Sequence, residues 1–194
     1  MKNKSTSFRE QFELNNKVAV VTGGTGILGK RFCAGLAEFG AKVAVVDLDE
    51  SNAVVYANEL QEIYGVECVG IACDVRRPDS IKNMTDDVEK ILGPIEILHN
   101  NAASKGSDLK KFLAPLEEYS LDTWNEVMSV NLDGMFLVAQ AIGSKMAERG
   151  YGSIIQTASI YGSTMGPDQN IYQGSEYMGM HINTPPVYPA SKGG

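Results

Sequence analysis

Val18-Ala19-Val20-Val21-Thr22-Gly23-Gly24-Thr25-Gly26-Ile27-Leu28-Gly29 is the stretch on which the reading of this 194-residue chain turns. Four small or β-branched apolar residues in a row read as a strand buried on both faces of a parallel sheet. Residues 26–39 then carry Ile27, Leu28, Phe32, Leu36 and Phe39 at helical spacing, and Gly40 stops the run. A glycine-rich turn between strand and helix lets the backbone approach a pyrophosphate, which rests on the free N–H groups at the helix start. The same glycines would also serve a purely structural turn. The surrounding sequence must decide.

Outward from that turn the alternation continues. Val43–Val46, Cys68–Ala72, Ile95–Leu98 and Gly152–Thr157 read as strands two to five. Helices are expected over 51–64 and 79–92, and a long helix or helix pair over 121–148. Strand and helix at this pitch mean crossover units, so an α/β domain with a doubly wound parallel sheet (a Rossmann fold of three α/β/α layers) is predicted. It would occupy 17–194 after an N-terminal extension of residues 1–16, with an insertion at 160–187 rich in Gly, Tyr and Met. Asp47 ends strand two, 18 positions beyond Gly29, where a dinucleotide fold places the acid that binds the adenosine ribose. A carboxylate there repels a 2′-phosphate, and neither Thr25 nor Leu48-Asp49 supplies a cation, which favours NAD(H) over NADP(H). Helix capping is the other use for Asp47, although Asp49 and Ser51 are better placed for it.

Composition narrows the classes. A net charge of −7 argues against nucleic acid or an anionic membrane as the main partner, because both demand basic surface. Three cysteines, Cys33, Cys68 and Cys73, are too few for a disulfide framework and read as free thiols. The first residues lack the apolar core of a secretory signal, and no later run approaches the uncharged length needed to span a bilayer. A cytoplasmic location is the expectation. His99 and His181 have no companions at ligand spacing, so no metal is expected. Met128, Met135 and Met146 read as core residues of the long helix.

Tyr188-Pro-Ala-Ser-Lys192 places a phenol and an ammonium at i and i+4, on one face if a helix begins there. A free tyrosine, with a pKa of about 10, is a poor base near neutrality. A cation close by favours the phenolate and makes proton exchange with a hydroxyl or carbonyl feasible. Together with the Thr22–Gly29 loop, Asn100-Asn101-Ala102-Ala103, Asn131 in Val-Asn-Leu-Asp-Gly, and Ser159 after Gly152-Ser-Ile-Ile-Gln-Thr-Ala, this segment resembles the short-chain dehydrogenase/reductase family. The likeness runs from about residue 12 to the last residue, with the motifs in the family's order, mainly of its single-domain branch.

The resemblance implies specific roles. Tyr188 would be the general acid/base, and Lys192 the cation that favours its phenolate and holds the nicotinamide ribose. Ser159 would bind the substrate oxygen, and Asn131 would anchor a water that extends the proton path from Lys192. The loop residues Gly23, Thr25, Gly26, Ile27, Leu28 and Gly29 would cradle the cofactor with Asp47. Asp74 and Val75 would contact its adenine, and Asn101, Ala102 and Ala103 would lie along it. Asn131 at a helix irregularity, Ser159 in an ordinary loop, or the Asn pair in a turn would also be explicable without chemistry. The implied activity is hydride transfer between a nicotinamide and an alcohol/carbonyl pair by an NAD-dependent oxidoreductase.

Three departures qualify the resemblance. The loop spacing TGxxGxxG looks like the extended branch of nucleotide-sugar epimerases and dehydratases, which is the alternative activity. Ser159 and Tyr188 stand 29 positions apart, roughly twice the usual separation. The intervening segment carries Tyr161, Asp168, Gln169, Asn170, Tyr172, Gln173, Glu176, Tyr177, His181 and Asn183 but no Lys or Arg, which suits an uncharged polyhydroxylated substrate such as a sugar or polyol. A loop packed on a neighbouring subunit would carry the same residues. Finally, the sequence stops two residues past Lys192. The resemblance implies further strands and much of a homo-oligomer surface in a full-length parent. The expectation is therefore an incomplete domain with an exposed sheet edge and little helix to hold Lys192, and a catalytically silent dinucleotide-binding fragment is the reading from a different class.

Overall fold

A computed structural model describes residues 7–164 and 169–194. The chain runs β1 (Val18–Thr22), α1 (Ile27–Glu38), β2 (Lys42–Asp47), α2 (Glu50–Tyr64), β3 (Cys68–Ala72), α3 (Pro78–Ile91) and β4 (Ile95–Asn100). After a short α4 (Leu109–Phe112) come α5 (Leu121–Met128), a π-helical segment over Ser129–Gly134, α6 (Met135–Arg149) and β5 (Ser153–Gln156). The five strands pair in parallel in the order β3-β2-β1-β4-β5. That order reverses direction between β1 and β4, which opens a crevice at the carboxyl ends of those two strands.

Alternation along β1 builds two cores. Val18 and Val20 face Ile81, Met84 and Val88 of α3 and Val138, Ile142 and Met146 of α6. Ala19 and Val21 face Cys33 and Ala37 of α1 and Ala53, Ala57 and Leu60 of α2. Successive strand side chains point to opposite faces, so a strand with helices on both sides must be apolar throughout, as β1 is. α2 begins at Asp49, whose carboxylate accepts the Asn52 N–H, leaving Asp47 free of capping.

The structure corrects the reading of α1. Ile27, Leu28 and Phe39 are exposed, Ile27 at 91%, and the buried face is Gly29, Cys33 and Ala37. The helix lies so close to the loop before it that a Cβ on Gly29 would sit 2.0 Å from the Gly23 carbonyl oxygen. Small residues therefore form the contact face, and large ones are displaced to its flanks or to the mouth of the crevice.

Length and hydropathy single out one helix. Because the π segment keeps α5 and α6 continuous, Leu121–Arg149 forms a 29-residue run that is long and apolar enough to cross a membrane by those two criteria. Its Val127, Val138, Ile142 and Met146 pack inside the domain, as in the core helix of a globule.

β5 is an edge strand, with Ile154 and Ile155 40% and 44% exposed. Beyond it lie α7 (Ile160–Ser163), a 3-10 turn over Gln169–Tyr172, the antiparallel hairpin β6 (Glu176–Tyr177) and β7 (Met180–His181), and α8 (Val187–Gly193). The hairpin turns through Met178 and Gly179, both at positive φ, the conformation that tight two-residue hairpins adopt. Sequence periodicity gave no sign of it. Asp168 lies outside the described residues.

Candidate active site

The crevice holds a cavity of about 360 Å³ lined by Gly23, Asp47, Asp74, Val75, Ala102 and Ala103, among others. The strands are parallel, so the loops after β1, β2, β3 and β4 all open on this end. At the start of α1, Gly26 supplies no side-chain cap, and the first turn keeps its N–H groups available to an anion. Asp47 stands opposite. Its Oδ2 accepts from the Thr25 N–H (2.9 Å) and hydroxyl (2.5 Å), and its Oδ1 from the Leu48 N–H (2.8 Å). Asp74 is gripped by the Arg76 guanidinium, which holds its carboxyl below the usual carboxylate range. Uncapped N–H groups on a short glycine turn, with an acid at the end of β2, form a donor and acceptor set that fits a dinucleotide.

Thr22 ties the crevice together. Its hydroxyl donates to Asn100 Oδ1 (3.1 Å) and accepts from the N–H groups of Asn101 (2.9 Å) and Ala102 (3.0 Å). One donor and two lone pairs are thereby all used. Asn100 Nδ2 continues to the Met135 carbonyl at 2.7 Å, joining β4 to α6. Asn101 Nδ2 donates back to the carbonyls of Thr22 and Gly23. Sequence reading took Thr22 as the start of a motif and gave it no role. A buried hydroxyl ending a central strand was the available signal.

Across the same end of the sheet stands the Tyr188 region. Asn131 sits in the π segment, fully buried. Its Oδ1 accepts the Ser104 N–H (2.7 Å), and its Nδ2 donates to the Ser104 carbonyl (3.2 Å) and Ser191 Oγ (3.4 Å). A helix irregularity and a tie between the β4 loop and α8 coincide in one residue; π-helical segments are frequent at functional sites. Ser159 Oγ accepts the Tyr161 N–H and starts α7. Thr157, its near neighbour, is committed elsewhere, with Oγ1 bonding His99 Nε2 and Asn101 Oδ1. The Tyr188 ring packs with Phe112, Val127 and Val187. Among the described residues no hydrogen bond joins Ser159 to Tyr188, although α7 and α8 are in contact.

That contact needs Gly162. It has φ +100°, and a Cβ there would lie 2.4 Å from the Pro189 carbonyl oxygen and 2.7 Å from the Gly193 nitrogen. Lys192 is 8% exposed, and its Nζ donates to the Thr157 carbonyl at 2.8 Å. Burial pushes its pKa down. The expectation that a short terminal helix would leave Lys192 unanchored is thus corrected. The carbonyl beyond β5 holds the ammonium, and the side chain is buried. Among the described residues no group of three His, Cys, Asp or Glu side chains is placed to hold a metal.

The short chain dehydrogenase family model matches residues 17–182. The chain belongs to the short-chain dehydrogenase/reductase family. It is 38% identical over 160 residues to a D-threitol dehydrogenase of Mycolicibacterium smegmatis, covering 82% of this chain and 58% of that one. It is 30% identical over 162 residues to an NADP-dependent mannitol dehydrogenase of Alternaria alternata, covering 82% and 59%. Among solved structures, an NAD⁺-bound xylitol dehydrogenase superposes with a TM-score of 0.77 at 30% identity, covering 92% of this chain and 60% of that one. This short-chain dehydrogenase/reductase chain thus spans less than two thirds of the length of these relatives.

Proposed function

We propose that this chain carries the cofactor site and the proton-transfer residues of an NAD(H)-dependent oxidoreductase acting on a sugar or polyol. The carrying observation is Lys192, buried and held by the Thr157 carbonyl one helical turn from Tyr188, at the same end of the sheet as the crevice. Bound there, the nicotinamide would supply or accept the hydride. Tyr188 exchanges the proton with the substrate oxygen, and Lys192 favours its phenolate. Ser159 donates to that oxygen as charge develops on it, and Asn131 keeps the Ser104 backbone and α8 in register. Gly23, Thr25, Gly26, Ile27, Leu28 and Gly29 receive the pyrophosphate and its flanks. Asp47 receives the ribose, Asp74 and Val75 the adenine, and Asn101, Ala102 and Ala103 the far side.

Preference for NAD(H) follows from charge. Asp47, Asp74 and Glu126 line the cavity, and the guanidinium there, Arg76, is spent on Asp74. A 2′-phosphate would meet carboxylates without a free cation among these residues. The polyol reading is supported by the threitol, xylitol and mannitol dehydrogenases to which the chain is similar, and by an insertion without Lys or Arg.

The test is a titration of the purified chain with NADH and NADPH, followed by NAD⁺ assays over a panel of polyols and hydrophobic alcohols. Tighter NADH binding and steady NADH formation with polyols are expected, and Tyr188→Phe should cut turnover about 10³-fold while sparing NADH affinity. Tighter NADPH binding overturns the cofactor preference. Faster turnover of hydrophobic alcohols than of every polyol overturns the substrate class, and NADH binding without any turnover reduces the chain to a binding unit.

A further inference from the structure

The loop after β4, residues 101–108, contains no helix or strand, and it supplies Ser104, Gly106 and Ser107 to the wall of the crevice cavity. The ends of β2 and β3, which line the same cavity, lie on the other side of β1. Both ends of the outer part of this loop are fixed. Asn131 clamps the N–H and the carbonyl of Ser104, and the Asp108 carboxylate caps α4. Between them Ser104 Oγ accepts the Gly106 N–H at 2.9 Å, a bond inside the loop. Glu126 of α5 makes the tie to another element: Oε1 accepts the Ser107 N–H at 2.8 Å and Oε2 the Ser107 hydroxyl at 3.3 Å. Gly106 lets the carboxylate close in. It has φ +75°, and a Cβ there would lie 3.2 Å from Glu126 Oε2.

We propose that Glu126 is a positioning residue that holds residues 105–107 shut against α5, so that release of Ser107 sets how fast the dinucleotide enters and leaves the cavity. The inference rests on the dinucleotide reading above. Gly106, with no Cβ, is the hinge on which the span swings. Ser107 is exposed, and segments held by a few exposed hydrogen bonds open locally without global unfolding. The latch joins protein to protein, and it stands in the free and in the occupied chain alike. Loosening it therefore multiplies association and dissociation rates by one factor and leaves their ratio, the affinity, in place.

The experiment measures both rate constants for NADH by stopped-flow fluorescence, with wild type, Glu126→Ala, Glu126→Asp and Glu126→Gln. The alanine variant loses both bonds; the aspartate keeps the charge but is one methylene too short to make them. Each should raise both rate constants about five-fold, the worth of a hydrogen bond, with the dissociation constant held within about two-fold. Glu126→Gln keeps both bonds, its amide oxygen accepting the N–H and its NH₂ donating to the Ser107 oxygen, and should stay within about two-fold of wild type. If Glu126→Ala fails to fold, Glu126→Asp decides. Unchanged rates in the alanine and aspartate variants, a rise in dissociation alone, or a glutamine variant as fast as alanine overturns the latch and leaves the dinucleotide reading standing. A wild-type chain that binds no NADH overturns both.

Discussion

Thr22 and Ser159 are hydroxyls on the same end of one parallel sheet, yet their surroundings differ sharply. Thr22 is wholly buried and spends its donor on the last residue of β4 and both lone pairs on the loop after it. Ser159 is half-buried, accepts one local N–H, and follows an edge strand whose side chains are exposed. The crevice between β1 and β4 has strands on both sides and helices on both faces. The Tyr188 region leans on one edge strand and hangs from a few long-range bonds: Lys192 to Thr157, Asn131 to Ser191, and Asn183 to the Leu113 carbonyl. The lesson is that the proposed cofactor site is built into the most constrained part of the fold. The residues proposed for proton transfer sit where local opening costs least.

The contrast is open to attack at three points. The largest effect is expected at Thr22. Thr22→Val keeps the shape but orphans an amide oxygen and two N–H groups, and should cost about 2 kcal/mol in urea unfolding, with Thr22→Ser recovering most of it. A loss comparable to a surface substitution would mean that the crevice is not the constrained region.

Next comes Gly162→Ala, where positive φ and contact with α8 both resist a Cβ. About 1 kcal/mol of global stability should be lost, but hydrogen exchange over residues 157–193 should accelerate far more than in β1 or β4. Uniform acceleration across the sheet would erase the distinction between the two regions.

The smallest effect is a pH dependence at the seam between them. His99 stacks on Phe32 with ring centroids 3.9 Å apart, and burial lowers its pKa, so the folded state prefers the neutral ring. The unfolded chain then binds more protons over that interval. Stability from His99 is complete above its unfolded pKa of about 6.5 and is lost as pH falls through the lower folded value. In urea melts wild type should lose stability relative to His99→Phe as the pH falls from neutral into acid, by less than about 1 kcal/mol. Parallel curves would place His99 in water.

Much of the fold was legible because hydrophobic period is a local property. The strand Cys68–Ala72 has the bounds its apolar run suggests, and the helices over 51–64 and 79–92 begin within a residue of expectation. The reading failed where packing distance mattered. Ile27 and Leu28 have the right spacing for a core face, but a helix pressed against its own phosphate loop tolerates only Gly29, Cys33 and Ala37 there. At the candidate site, the motifs located Asn131, Tyr188 and Lys192. Their partners, the backbone of Ser104 and the carbonyl of Thr157, carry no side-chain signature and were invisible.

The amino-acid sequence by itself determined the alternation of strands and helices, the glycine turn, the acid after β2 and the order of the family's motifs. Each depends on residue type and spacing along the chain. Tertiary structure alone decided which hydroxyl locks the crevice, that Gly162 admits α8 against α7, that Arg76 is spent on Asp74, and that Lys192 is held by a carbonyl 35 positions away. These are matters of distance between segments remote in sequence or of side-chain direction, and only the folded chain fixes either.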